Sequence, residues 1–163
     1  MSPGRRPAPP PESKTGQLDP QRLQHPTNRR AYAYWDHIRG ERLMPSRADI
    51  DPAEIPEILS CVFLLDVAEG PLDFRYRLIG TKMSASMNRD HTGRWMSEIE
   101  HQRPPSRIWS ACAWVVETRM PLSSDTPYVG RHHEFKTTED LIMPLSADGE
   151  SVNMLFVTAD FLP

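Results

Sequence analysis

The amino-acid sequence predicts an α+β domain. It has one antiparallel sheet of five strands, and its helices are segregated into the middle of the chain and laid over one sheet face. Three observations carry that prediction. Within residues 61–79 an apolar run and a run of alternating aromatic and arginine residues flank the turn signal Glu69-Gly70-Pro71. The C-terminal third is patterned throughout as strand, with a hairpin turn at Asp148-Gly149. The stretch between them carries apolar residues at helical spacing.

The first element is a helix, predicted over residues 29–39, capped by Thr27 or Asn28 and stopped by Gly40. Ala31, Tyr34, Trp35 and Ile38 share one face of it, opposite Arg29, Arg30, Asp36 and Arg39. That apolar stripe must pack on the chain's own domain or on a second subunit. Asp51 then reads as an N-cap, with Pro52 as the first helical residue and Glu54 as the capping-box partner. Pro56 restricts the next residues to short turns, pinned by Ile55, Ile58 and Leu59. Residues 61–67 have strand length and are largely apolar, which predicts a buried strand. Phe74, Tyr76 and Leu78 alternate with Arg75, Arg77 and Ile79 in a second, antiparallel strand with an aromatic face. Thr81 is predicted to cap a short helix carrying Met83 and Met87, and Trp95 and Met96 stand in a turn-rich stretch. A longer helix is predicted from Pro104-Pro105 to about Thr118, with the stripe Ile108, Cys112 and Val115 widened by Trp109 and Val116. Strands are predicted at about 120–124, 133–145 and 151–161. In the second of these, Phe135, Leu141, Met143 and Leu145 share one parity.

Composition bounds the function. The hydrophobic fraction is 38%, below that of an ordinary globular chain, and part of the deficit lies in residues 1–27. Those residues hold seven of the 17 prolines, and their only large apolar side chains are Met1, Leu18 and Leu23. Such a segment cannot offset its own ordering entropy. Residues 1–27 are therefore expected to be a disordered Pro-rich tail, and residues 28–163 a single domain that includes the N-terminal helix. A formal net charge of −3 and a pI near 6.1 give no electrostatic footprint for nucleic acid. No apolar run approaches the ~18 residues of a membrane helix, and the N-terminus lacks the apolar core of a signal peptide. The expected location is the cytoplasm, with Cys61 and Cys112 as buried free thiols.

Several segments together resemble the PAS_5 family of bacterial PAS proteins. They are Tyr34-Trp35-Asp36, the run Met44-Pro45-Ser46-Arg47-Ala48-Asp49-Ile50-Asp51-Pro52, and Phe63-Leu64-Leu65-Asp66-Val67. Phe74-Arg75-Tyr76-Arg77-Leu78-Ile79-Gly80-Thr81, Arg89-Asp90-His91-Thr92-Gly93-Arg94 and Met143-Pro144-Leu145-Ser146 continue the likeness, which covers about residues 30–162. The resemblance implies a sheet in the spatial order 2-1-5-4-3, with helices that can enclose a small-molecule cavity. It also implies a sensor of ligands or redox state, or a dimerisation module. No output domain is recognisable, so the signal is expected to leave through a regulatory protein partner or an altered homodimer.

Tyr76, Met83, Met87, Trp95, Trp109, Cys112, Leu141, Met143 and Met154 are expected to line an adaptable pocket for a small apolar or weakly acidic ligand. The competing reading is a filled core with methionine as packing material. Ala31, Tyr34, Trp35 and Ile38 are the candidate dimer or partner surface. Arg75 and Arg77 are expected to stay solvated, although one turned inward would hold a ligand carboxylate. His132-His133-Glu134 suggests a metal, but adjacent strand residues point to opposite faces, so solvated polar strand residues are the better reading. Haem would need His91 or His101, and neither lies in an apolar helical stripe. Flavin photochemistry would need a reactive cysteine, and Cys112 lies in the apolar Ala111-Cys112-Ala113-Trp114. No cofactor, phosphate loop or carboxylate dyad is expected, and no enzyme. The alternatives are a ligand-free dimerisation or adaptor module, or a small enzyme on a similar α+β scaffold.

Overall fold

The computed structural model describes residues 18–127, 130 and 137–162. The apolar run at 61–67 becomes strand β1 (Val62–Ala68), and the aromatic-faced run becomes β2 (Asp73–Ile79). The C-terminal third supplies β3 (Leu122–Pro127), β4 (Thr137–Leu145) and β5 (Met154–Leu162). The helices are α1 (Pro26–Arg39), α2 (Thr81–Ser86) and α3 (Arg107–Thr118). The sheet is antiparallel throughout and runs β2-β1-β5-β4-β3, so first and last strands in sequence pair at its centre. Between β4 and β5 the Asp148 carboxylate accepts from the N–H groups of Glu150 and Ser151 and from the Ser146 and Ser151 hydroxyls, which fixes the turn.

Helix starts differ from expectation for local reasons. α1 begins at Pro26, because the His25 ring nitrogen Nδ1 accepts from the Thr27 N–H at 3.2 Å and acts as the cap. Proline at the first helical position loses no hydrogen bond. Thr27 and Asn28, released from capping, turn inward. α3 begins at Arg107 under a Ser106 cap, with Pro104-Pro105 in the preceding turn. Gly80, not Thr81, caps α2. A Cβ at Gly80 would lie 2.4 Å from the Ser60 carbonyl oxygen, so the β2–α2 junction requires glycine. β3 lies at Leu122–Pro127, a few residues later than expected. The packed chain also starts before Asn28: Leu23 is only 2% exposed and joins the core beside α1. Of the expected tail, residues 1–17 lie outside the described residues, as does Phe135.

The helices from the middle of the chain cover one sheet face, as expected. The other face is covered as well, by α1. Alternate residues of a strand point to opposite faces, and β4 from Glu139 to Leu145 and β5 from Met154 to Asp160 are buried at both parities. One face carries Val62, Leu64, Leu141, Met143, Leu145, Met154 and Phe156 against α1 and the short turns with Ile50, Ile55 and Ile58. The other carries Leu65, Phe74, Tyr76, Ile142, Leu155 and Val157 against α3, Met96 and Ile99.

The α1 stripe is therefore spent on its own sheet. Ala31, Tyr34 and Trp35 are buried and Ile38 is half-buried in the same cluster. The Trp35 indole N–H donates to the Pro144 carbonyl at 3.0 Å. These four side chains pack on the chain's own sheet, the first of the two alternatives weighed for the stripe. Polar groups complete the docking. The Glu139 carboxylate accepts from the backbone N–H groups of Gln24 and His25 and from the Asn28 amide. The Asn28 carbonyl oxygen accepts from Thr158 at 2.7 Å. Asp160 accepts from Thr27 and Lys82 and lies 3.3 Å from His25 Nε2.

Candidate functional site

The second face is not filled. Between the sheet and the segment running from α2 to the start of α3 lies a cleft of about 790 Å³. That volume is within the ~300–1,000 Å³ of small-molecule sites. Phe63 and Leu65 of β1, Tyr76 of β2 and Val157 and Ala159 of β5 line it from the sheet, and Met83, Met87, Ile99 and Ile108 from the helical segment. Cross-strand register explains the sheet side, since Phe63 pairs with Val157 and Leu65 with Tyr76 across neighbouring strands.

One carboxylate interrupts this apolar surface. Strand alternation sends Glu139, Leu141 and Met143 toward α1, so Thr138, Asp140 and Ile142 point the other way. Asp140 is 5% exposed and lines the cleft. The Thr138 hydroxyl donates to its Oδ1 at 2.8 Å, and the Thr126 hydroxyl of the neighbouring strand donates to its Oδ2. Burial pushes its pKa up to about 7; the two hydroxyls oppose the rise, and Asp125 and Glu139 add to it.

A ring cluster stands on the β2 side. The buried Tyr76 hydroxyl donates to Gln102 Oε1. Burial, then the Coulombic effect of Cys112 and Asp140 in their ionised forms, push that phenol well above its ordinary range, against the opposing effect of the Gln102 hydrogen bond. His91 stacks on Tyr76 with ring centroids 6.3 Å apart, and His101 lies 6.0 Å from His91. Arg94 Nη1 is 3.1 Å from His91 Nδ1. A guanidinium can only donate, so Nδ1 accepts and the ring carries its proton on Nε2. Burial lowers the His91 pKa, and Arg94, His101 and Arg89 lower it further, against Asp90. His91 is thus held as a neutral, flat wall.

The expected pocket residues divide. Tyr76, Met83 and Met87 line the cleft. Trp109 and Cys112 belong to the α3 packing behind it, with Trp109 edge-on to Phe74 at 5.0 Å. Trp95 bridges to Arg75, whose guanidinium lies 5.6 Å from its ring. Leu141, Met143 and Met154 lie on the α1 face, because their parity is opposite to that of Asp140 and Val157. Arg75 and Arg77 stay at the surface near Asp66, at 3.4 and 3.6 Å. Asp140, Thr126, Thr138 and Gln102 were not anticipated. The signal for Asp140 was available, as an acid at the cleft parity of a strand buried on both sides.

Both cysteines are free and buried, and burial is the main cause that raises each thiol pKa, so neither is activated. Among the described residues, no group of three His, Cys, Asp or Glu is placed to hold a metal ion. His132, His133 and Glu134 lie outside the described residues. No helix among the described residues is long and apolar enough to cross a membrane.

In comparison with known families, the family model PAS_5, described as a PAS domain, matches residues 23–157. No curated protein and no solved structure matches the chain.

Proposed function

This chain belongs to the PAS_5 family of PAS domains, and from that premise we propose that it is a sensory or regulatory domain whose input is a small molecule held in the cleft. The observation that carries this is the cleft itself, about 790 Å³ with an apolar floor, on one face of a sheet whose other face is filled. The floor favours a largely apolar ligand. The lining includes Arg89, Arg94 and Arg107 as well as Glu98, Glu100 and Asp140, so its charge does not call for an acid.

A ligand shifts a conformational equilibrium only if it binds one state better than the other. Helix α2 is the element placed to respond. Met83, Ser86 and Met87 border the cleft, and Lys82 on the same helix donates to Asp160 at 2.7 Å. Asp160 also holds Thr27 and His25 at the start of α1. Movement of α2 on ligand binding would loosen this junction and change the N-terminal surface read by a regulatory partner or a second copy of the chain.

The test is native mass spectrometry of freshly purified full-length protein, with a thermal-shift screen of a metabolite library. A small-molecule adduct or stabiliser is expected, and Ala159→Phe, which fills the cleft floor, should abolish it. A folded protein with neither adduct nor stabiliser overturns the reading.

A further inference from the structure

We propose that the ligand of the cleft is a compact, planar, uncharged molecule that donates an N–H or O–H to the Asp140 carboxylate: an indole, a phenol or a lactam-type heterocycle. This deepens the sensor reading and rests on it.

Asp140 has unused acceptor capacity. A carboxylate offers about four lone-pair sites. The Thr126 and Thr138 hydroxyls take one on each oxygen of Asp140, and among the described residues it forms no ion pair. A nearly buried carboxylate without a cation is unfavourable unless further donors reach it. Its neighbour in sequence provides the comparison. Glu139, equally buried on the other face, takes two backbone N–H groups and an amide N–H from its own chain. Asp140 faces a cavity where such donors would stand, and the two threonines fix its orientation.

The walls select the shape. Tyr76 and His91 are inclined by only 30° and present flat rings, and Phe63 lies 6.0 Å from Tyr76. Rings prefer offset-stacked or edge-on partners, which a planar ligand supplies. Gln102 spends its Oε1 on Tyr76, and its two amide N–H groups, at the cleft wall, have no hydrogen-bond partner among the described residues. A lactam edge, with N–H and C=O side by side, would use Asp140 and Gln102 together. An anionic ligand would be repelled by Asp140.

Matched probe pairs test this on the intact chain. Indole, phenol and uracil are compared by calorimetric titration with 1-methylindole, anisole and 1,3-dimethyluracil, which keep the ring and lose the donor; toluene is the apolar control. At least one parent should bind about tenfold or more tightly than its capped partner. In Asp140→Leu, which keeps the size and removes the acceptor, and which is shown to be folded by circular dichroism, that preference should shrink to within about threefold. The pair comparison in the natural protein needs no variant, so the proposal stays falsifiable if the substitution prevents folding. Equal binding of parent and capped probes overturns it while leaving a ligand-binding cleft intact. Silence of the whole panel, toluene included, also overturns it, and the library screen then decides the sensor reading separately.

Discussion

Strand β4 places two acids side by side and gives them opposite fates. Glu139 points to the face covered by α1, where three N–H donors from residues 24–28 meet it. Asp140 points to the face covered by α2 and α3, where two hydroxyls meet it and a cavity begins. The apolar side chains divide in the same way. Leu141, Met143 and Phe156 are fully enclosed on the α1 face, whereas Phe63, Leu65 and Val157 border open volume on the other. One side of the sheet is thus closed by long-range contacts that the chain makes with itself. The other is closed by α3 and by Met96 and Ile99, and stays open beside α2. The same strand physics produces both, and the difference lies in what the covering segment brings.

Deleting apolar volume from each face should separate the two faces most. Leu141→Ala opens a cavity in a filled layer and should cost about 4 kcal/mol in denaturant unfolding. Leu65→Ala enlarges a cleft that already exists, so it should cost nearer 2 kcal/mol. Equal losses would mean the two faces are equally packed.

Next in size is Glu139→Gln. It turns an amide N–H toward donors that now meet a carboxylate, leaving buried N–H groups unsatisfied at a cost of about 3 kcal/mol. Hydrogen exchange should then speed up at residues 24–39 while the β1–β5 amides remain protected. Uniform loss of protection would argue against a local docking role.

Asp140→Asn separates the faces by pH. The carboxyl pKa rises from 3.8 in the unfolded chain to about 7 in the fold. Between those values the folded state holds a proton that the unfolded state has released, so stability falls as pH rises, by up to about 1.4 kcal/mol per unit. Above about 7 the loss is complete. The groups that set this window are Asp125 and Glu139, which raise the pKa, and Thr126 and Thr138, which lower it; Tyr76 and Cys112 stay protonated throughout. Both threonine hydroxyls can rotate to accept as well as donate, so asparagine keeps its partners. The variant should be more stable than the natural protein at pH 8, and the advantage should disappear toward pH 4. A pH-independent difference would show that burial does not raise the Asp140 pKa.

The smallest effect is expected at His91, and its sign is opposite. Its folded pKa lies below the ordinary 6.5, so its contribution is present above that pH and is lost as pH falls through it. His91→Gln should flatten the acid side of the stability profile and leave the profile above pH 7 unchanged.

Alternation and turn chemistry made the strands legible. The Asp148-Gly149 turn, the aromatic parity of β2 and the glycine that ends α1 could all be read locally. The side of each strand could not. β4 and β5 are apolar at both parities, which marks burial on two faces, yet the run alone does not say which face is hollow. Leu141, Met143 and Met154 were expected in the pocket for that reason. The start of α1 was also out of reach. It depends on a histidine cap and on Glu139, whose partners lie 111 to 115 residues away in sequence. Met83 and Met87 were found because a short helix with thioethers beside a sheet reads the same way locally and in the fold.

Methionine-methyl NMR reports on both faces in one experiment. Met83 and Met87 border the cleft, and Met143 and Met154 lie in the packed α1 layer. On titration of the full-length protein with indole, the first two methyl signals should move in a saturable way while the second two stay in place. Equal movement of Met143 and Met154, or stationary Met83 and Met87 signals up to the solubility limit of indole, would contradict a sheet with one filled face and one ligand-binding face.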